Sequence, residues 1–401
     1  MTAWLTIVGI GDDGLAGLPP ASRALVERAD IVLGPERVLA GADLPDAEIH
    51  HWQSPLTGMI ETIKGWRRRR VVVLATGDPM HFGIGATMAR HLPFEEMAVI
   101  PAPSAFSLAA ARLGWPLAET ECLSLHGRAL DRLAAFLRPG ARLVALTSGA
   151  ETVREAARLL VARGYGPSPV AVLEHMGGEA ERVVHMTAAE ATDGRFADFN
   201  TLAIDCVAEP GAVLLPLVPG LPDEAFEHDG QLTKREVRAV TLAALGPTPR
   251  ALLWDIGAGC GSVAIEWLRA ERTAHAIAFE RDEGRLAMIA RNAAGLGVPA
   301  LETVAGAVPG RLKGARAPDA VFLGGAVADE EVFITAWEAL RPGGRLVANT
   351  VTLEAEAALI DRQARFGGEL VRLDIAHMAP VGAKRALRPR MSVLQWRAMK
   401  A

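Results

Sequence analysis

Short apolar runs alternate with amphipathic stretches along most of the chain. Near the start, residues 5–10, 31–33, 71–75 and 97–100 are apolar runs of strand length. Between them, residues 20–29, 56–66 and 84–91 space their apolar positions as one helix face does. Strands alternating with helices predict a parallel sheet covered by helices. From residue 121 the pattern changes. Residues 122–126, 143–147, 169–175, 182–186 and 201–207 read as strands and 151–163 as a helix. The strands at 169–175 and 182–186 flank Gly177-Gly178, which predicts a hairpin and some antiparallel pairing in a second lobe.

Residues 209–230 then carry Pro210, Pro216, Pro219 and Pro222, a density that interrupts regular structure. The chain is therefore expected to divide into a domain over 1–210, a proline-rich linker over 211–228 and a second domain over 229–401. After the linker, 234–245 reads as a helix. Strands follow at 251–256, 275–279, 301–304, 320–323, 345–349, 369–376 and 391–397, with helices from Ser262 and over 283–296, 330–340 and 353–366. This is the pattern of a doubly wound sheet. Residues 380–389 read as a loop too short for a helical crossover, so the last strand is expected to run antiparallel to its neighbour.

Composition narrows the classes. Half of the 401 residues are hydrophobic and 22% are charged, which fits a globular protein with a full core. The 40 glycines and 25 prolines follow no triplet period, which excludes collagen. A net charge of -5 and 5% aromatics weigh against a nucleic-acid surface, which uses basic and stacking residues. Cys122, Cys206 and Cys260 are few and far apart, so neither a disulfide framework nor a metal site is expected. The first residues lack a basic leader and no apolar run is long enough to span a membrane, so a cytoplasmic protein is expected.

The strongest chemical motif is Asp255-Ile256-Gly257-Ala258-Gly259-Cys260-Gly261, where a strand gives way to the helix from Ser262. Glycines let a ligand approach the backbone, and the helix start offers unpaired N–H groups. Glu280 follows Gly261 by 19 residues, at the tip of the next strand, where an acid can hold ribose hydroxyls. In the first half, Gly9-Ile10-Gly11-Asp12-Asp13-Gly14 matches a dinucleotide pattern. The acids that follow, Glu27 and Asp30, lie on or at the end of a helix, not at a strand tip.

The Gly257–Gly261 loop, with Asp255 before it and Leu340-Arg341-Pro342-Gly343-Gly344 later, resembles Rossmann-like S-adenosylmethionine-dependent methyltransferases. Val8-Gly9-Ile10-Gly11, Ala75-Thr76-Gly77-Asp78-Pro79 and Ile100-Pro101-Ala102-Pro103-Ser104-Ala105 together resemble the tetrapyrrole methylases, which bind that cofactor between two α/β lobes. The match departs from the family at Asp12-Asp13-Gly14, where a Pro-Gly is usual, and at Pro101-Ala102. The two halves in this order resemble the bifunctional precorrin methyltransferases of cobalamin biosynthesis, and the likeness runs nearly the whole chain.

The resemblance implies an α/β protein: a two-lobed tetrapyrrole methylase fold, then a doubly wound Rossmann-like sheet with an antiparallel last strand. It implies methylation of carbon 5 of the macrocycle by the first half. The second half would methylate carbon 15 and remove the carboxyl of the acetate on carbon 12. It implies one S-adenosylmethionine site per domain. Contacts are expected from Gly257, Ala258, Gly259, Cys260, Gly261, Glu280, Thr233, Gly306, Ala307 and Val308 in the second domain. In the first they are expected from Gly77, Asp78, Ser104 and Ala105. An assembly of identical chains is expected, with no nucleic-acid, membrane or metal partner. Read from the residues alone, Thr233 is a helix N-cap with Glu236 completing a capping box. Asp78 either bounds a pocket or braces its own turn.

Such a substrate carries many carboxylates, so basic residues should face it. Lys384, Arg385 and Arg388, in a basic stretch without acids, are candidates for that contact, against a merely solvated charge run. Arg67–Arg70 reads as a solvated helix end. His81 and His377 are candidates for moving a proton, against ordinary polar contacts. Trp254 reads as core. The rival readings are a methyltransferase acting on RNA or protein, with the first half a binding module, and a non-catalytic cofactor sensor.

Overall fold

The computed structural model describes residues 3–53 and 56–401. The chain divides into two compact units, residues 1–130 with 138–213, and residues 131–137 with 214–401.

The first unit contains two five-stranded sheets. One is built from β1 (Leu5–Ile10), β2 (Ile31–Gly34), β3 (Glu48–His51), β4 (Val71–Thr76) and β5 (Met97–Ile100), in the order β3-β2-β4-β1-β5. All its pairings are parallel. Side chains alternate across it: Leu5, Ile7, Leu33, Val71 and Val73 enter one core cluster, and Val8, Ile10, Val32, Val72 and Leu74 the other. A sheet buried on both faces needs unbroken apolar runs, which is why these strands are legible as runs. The edge strand β3, Glu-Ile-His-His, is largely exposed and was not expected. The helices come out at Pro20–Glu27, Leu56–Gly65 and Ile84–Met88, so the third is shorter than its pattern.

The second sheet has β6 (Thr120–Ser124), β7 (Arg142–Leu146), β8 (Pro169–Glu174), β9 (Arg182–Thr187) and β10 (Asn200–Asp205), in the order β6-β7-β10-β8-β9. Only β6 and β7 pair in parallel, and β8 and β9 form the expected antiparallel hairpin. The Arg67–Arg70 run is more than a solvated helix end. Arg67 pairs with Glu96, Arg69 with Glu48 and Arg70 with Asp30, at 2.7, 2.7 and 2.5 Å. Hydrogen bonding from Arg70 holds the Asp30 carboxyl down at about 2.

The second unit carries a seven-stranded sheet: β11 (Leu252–Ile256), β12 (His275–Glu280), β13 (Glu302–Ala305), β14 (Ala320–Leu323), β15 (Arg345–Thr350), β16 (Glu369–Leu373) and, after a separate hairpin of β17 (Ala376–Val381) and β18 (Lys384–Pro389), β19 (Val393–Met399). The order is β13-β12-β11-β14-β15-β19-β16, and β19 runs antiparallel to both neighbours, as expected. The strand order reverses between β11 and β14, where doubly wound sheets open a crevice at their carboxyl ends. Trp254 is fully buried and donates its indole N–H to the Arg316 carbonyl at 3.0 Å.

Three expectations are corrected. The stretch read as a linker, 211–228, belongs from residue 214 onward to the second unit: Leu221 and Phe226 are buried in a cluster with Cys260 and Ile265. Buried Glu266 accepts the Gly220 and Leu221 amides at 2.6 and 2.9 Å, and buried Arg238 pairs with it at 2.6 Å. Proline ended regular structure there without freeing the chain. Second, residues 380–389 are not a loop, because they complete the β17–β18 hairpin around Gly382, whose φ is 58°. Third, the capping box fails. The N-cap of the Arg235–Leu245 helix is Lys234, without a side-chain cap, and Arg238 takes the Thr233 carbonyl instead. No helix among the described residues is long and apolar enough to cross a membrane.

Candidate functional site

In the first unit the carboxyl ends of β4, β1 and β5 lie side by side. Gly77 N donates to the Ile10 carbonyl at 2.8 Å. A Cβ on Gly9 would stand 2.4 Å from Ala102 N and 2.5 Å from the Gly77 carbonyl. No other residue fits there, so the three loops singled out in the sequence meet at Gly9. Asp78 braces its own turn, accepting from Met80 N at 2.8 Å. Ser104 caps the Ala105–Leu113 helix, accepting from Ser107 N at 3.1 Å. His81 stacks among Phe82 and Phe106, with ring centroids 5.2 and 4.4 Å away.

Beside these loops, Asp12 joins the two lobes. One of its carboxylate oxygens takes the Arg37 guanidinium, and the other lies 3.2 Å from His175 Nδ1. Arg37 also donates to Thr76 Oγ1 at 3.2 Å and lies 4.0 Å over the Phe199 ring. His175 follows β8 with φ 48°, a backbone state uncommon outside glycine, and its N–H donates to the Phe199 carbonyl at 3.1 Å. Arg37 and His175 are 25 and 163 residues from Asp12, and no local motif announces them. Sequence reading missed both.

In the second unit the Gly257–Gly261 loop leaves β11 at the crevice. Gly257 has φ 74°, and a Cβ there would stand 3.0 Å from Gly325 in the loop after β14. Glu280, almost fully buried at the end of β12, accepts three backbone N–H bonds: Gly259 at 2.9 Å on Oε2, and Arg281 and Asp282 at 2.9 and 3.1 Å on Oε1. A carboxylate has about four acceptor positions, so Oε2 retains the free one. Glu280 therefore shapes the glycine loop before it binds anything. Gly306, after β13, donates to the Glu280 carbonyl at 3.0 Å, which brings the Gly306, Ala307 and Val308 loop alongside.

Asp255 is buried, with Oδ2 accepting from Ala264 N at 3.0 Å in the first turn of the next helix. Its Oδ1 has no hydrogen-bond partner among the described residues. Burial, reinforced by Glu280, pushes its carboxyl up to about 7. Burial likewise keeps the Cys260 thiol protonated by raising it. Asn292 fastens the incoming chain to the loop: its amide N–H groups reach the Glu227 and Cys260 carbonyls at 2.8 and 3.0 Å. Asp229 pairs with Arg285 at 2.8 Å, and the Gln231 carbonyl passes close to Gly259. Thr233 thus lies on a segment that borders the loop, although not as a cap. Sequence reading missed Asn292 and Gly325, which sit on other elements.

The basic residues Lys384, Arg385 and Arg388 lie on β18, exposed, in a hairpin that among the described residues pairs only with itself. The register sets His377 opposite Arg388 and Val381 opposite Lys384. Directly opposed residues share a face and neighbours alternate. One face therefore carries His377, Lys384 and Arg388, and the other Arg385 with Met378 and Leu387. The three basic candidates are divided between faces. His377 Nε2 lies 3.6 Å from Glu236 of the Arg235–Leu245 helix, so the polar face starts beside that helix.

Both loops offer what a nucleoside-linked amino acid needs: backbone cradles with no Cβ and, in the second unit, an unused Glu280 lone pair and an orphaned Asp255 oxygen. Residues 4–192 match the family described as tetrapyrrole (corrin/porphyrin) methylases, and residues 224–400 the precorrin methyltransferase domain. The chain is 48% identical over 397 residues to a precorrin-6Y C(5,15)-methyltransferase [decarboxylating] of Sinorhizobium sp, covering 99% of this chain and 96% of that one. A cobalt-precorrin-7 C(5)-methyltransferase of Salmonella typhimurium is 32% identical over 45% of this chain and 88% of its own. A probable cobalt-precorrin-6B C(15)-methyltransferase (decarboxylating) of Saccharolobus solfataricus is 29% identical over 40% of this chain and 83% of its own.

Proposed function

The chain belongs to the precorrin-6Y C(5,15)-methyltransferase (decarboxylating) family, and from that premise we propose that each of its two units carries one S-adenosylmethionine site and one methyl transfer. The first unit methylates carbon 5. The second methylates carbon 15 and removes the carboxyl of the acetate on carbon 12. The observation that carries this reading is the pair of glycine cradles at strand ends, one at Gly9 and one at Gly257–Gly261, in separately packed sheets. Relatives of about half this length, named for one methylation each, support the division.

S-adenosylmethionine supplies an electrophilic sulfonium methyl when bound. In the second unit, the free lone pair of Glu280 Oε2 would accept a ribose hydroxyl, and Asp255 Oδ1 would accept from a cationic or hydroxyl donor. Gly257–Gly261 would lie against the nucleoside, flanked by Gly306–Val308. In the first unit the converging Gly9, Gly77–Asp78 and Ala102–Ala105 loops would hold the cofactor. The chain's task in methyl transfer is to hold carbon and methyl at near-attack distance in a dry site. Decarboxylation uses the macrocycle as electron sink, so the chain positions and desolvates the acetate. Lys384 and Arg388, on the polar face of the hairpin, would meet the substrate carboxylates. The three free cysteines fit a reducing, cytoplasmic compartment.

The direct test incubates the full chain with precorrin-6Y and methyl-labelled S-adenosylmethionine and weighs the product. The account expects two labelled methyls gained and one carbon dioxide lost. A product with neither change overturns it.

A further inference from the structure

We propose that His175, oriented by Asp12, is the proton acceptor for methylation in the first unit. The inference rests on the carbon-5 assignment above and adds a residue that neither the sequence motifs nor the family likeness singles out.

Three observations carry it. First, Asp12 stands where two lobes and the Gly9 loop come together, and Gly178 leaves it room: a Cβ there would lie 2.5 Å from Asp12 Oδ2. Second, Asp12 faces His175 Nδ1 at 3.2 Å while its other oxygen is held by Arg37. An acceptor fixed at Nδ1 sets the imidazole tautomer, with the hydrogen on Nδ1 and the lone pair on Nε2. Among the described residues Nε2 makes no hydrogen bond, and the side chain is 34% exposed. Third, the His175 backbone is held at φ 48° by its bond to Phe199 and by the turn that follows, in which Gly178 N donates to the His175 carbonyl at 2.9 Å. Strain of this kind persists where the surrounding structure fixes a side chain in place.

The chemistry needs such a group. Methyl transfer forms a carbon–methyl bond on the macrocycle while the carbon–sulfur bond of the sulfonium breaks, its electron pair staying on sulfur. The macrocycle is left with one positive charge. Loss of a ring N–H or C–H proton to Nε2 removes it, and His175 becomes an imidazolium stabilised by Asp12. The proton then leaves to solvent. Asp12 and Arg37 act as positioning residues. The other charged groups near the ring are already paired: Glu174 with Arg182 at 2.7 Å, and Glu181 with Arg112 at 2.6 Å.

The test uses His175→Asn in the full chain. Asparagine tolerates positive φ and can still donate to Asp12, but cannot take the proton. With precorrin-6Y and S-adenosylmethionine, the carbon-5 kcat should fall by about 100-fold or more, the range general base catalysis contributes. KM for the macrocycle, S-adenosylhomocysteine binding by calorimetry and the thermal transition should stay close to wild type. The product that accumulates should be decarboxylated and methylated once. The wild-type carbon-5 rate should fall at acid pH with a single ionisation, and this limb should vanish in the variant. Asp12→Asn should lower the same kcat by less and leave KM unchanged. A carbon-5 kcat within threefold of wild type in His175→Asn overturns the inference. So does a wild-type profile with no acid limb, or a loss traced to the thermal transition in both variants. Absence of carbon-5 methylation by the wild-type chain would instead overturn the carbon-5 assignment.

Discussion

Gly9 and Gly259, one in each glycine loop, are needed for opposite physical reasons. In the first unit Gly9 has an ordinary backbone but no space, since a Cβ would collide with the backbone of two other loops. In the second unit Gly259 has space, with its nearest neighbour 3.5 Å from a Cβ, but a φ of 59° that L side chains rarely adopt. The surroundings differ in the same way. The first candidate site is assembled by tertiary packing, with charged side chains reaching between lobes. The second is built by backbone N–H groups converging on two buried carboxylates within one sheet. A site made of local backbone can be read from a short motif. A site made of distant side chains cannot.

The largest expected effect tests the buried carboxylates. Asp255 is pushed from 3.8 to about 7, so between those values the folded chain binds more protons there than the unfolded chain. Its effect is then to lower stability as pH rises through that window, and to stay constant above it. The shift corresponds to roughly 4 kcal/mol. Asp255→Asn should remove this pH dependence. Hydrogen exchange of the β11 and β12 amides, measured from pH 4 to 8, should show the variant gaining on wild type by up to that amount. Parallel pH profiles would mean the carboxyl is not buried as described.

The glycines come next. Gly9→Ala should destabilise the first unit by about 1–3 kcal/mol, because backbone must move to admit the methyl. Gly259→Asn should cost the second unit less than about 1 kcal/mol, since asparagine adopts the left-handed state with little strain. Equal losses measured by exchange in the two units would erase the contrast. The smallest effect concerns the hairpin. Lys384→Ala with Arg388→Ala should raise the substrate KM about threefold and flatten its salt dependence, whereas Arg385→Ala, on the other face, should do neither; exposed charges contribute only about 0.2–1 kcal/mol each. If Arg385→Ala matches the pair, the faces do not differ in use.

The sequence made the central strands legible because sheets buried on both faces demand unbroken apolar runs, as in Val71–Thr76. It hid β3, whose Glu-Ile-His-His lies largely exposed at an edge, and the β17–β18 hairpin, whose basic, proline-bearing strands are almost wholly exposed. The proline-rich stretch 211–228 looked like a tether because its anchors, Glu266 and Arg238, lie on helices elsewhere in the sequence. Glu280 is singled out by its spacing and lies at the end of β12, but its bonds to Gly259, Arg281 and Asp282 are not legible there, since they depend on how the loop closes over it. Asp12 stood in the motif as a departure from the usual proline. What it contacts is set by Arg37 and His175, which only the folded lobes bring to it.

The central claim is that one chain holds two cofactor sites built by these different means. Titration calorimetry of the full chain with S-adenosylhomocysteine tests it most directly. The account predicts two sites per chain in the wild type. Glu280→Gln puts an amide N–H₂ among N–H donors and loses charge-assisted bonds worth about 1.5–3 kcal/mol. It should weaken the second site by roughly 10- to 100-fold and leave the first untouched, while Gly9→Ala should do the reverse. A wild-type stoichiometry of one, unchanged by Gly9→Ala, would contradict the account and leave the first unit without a cofactor.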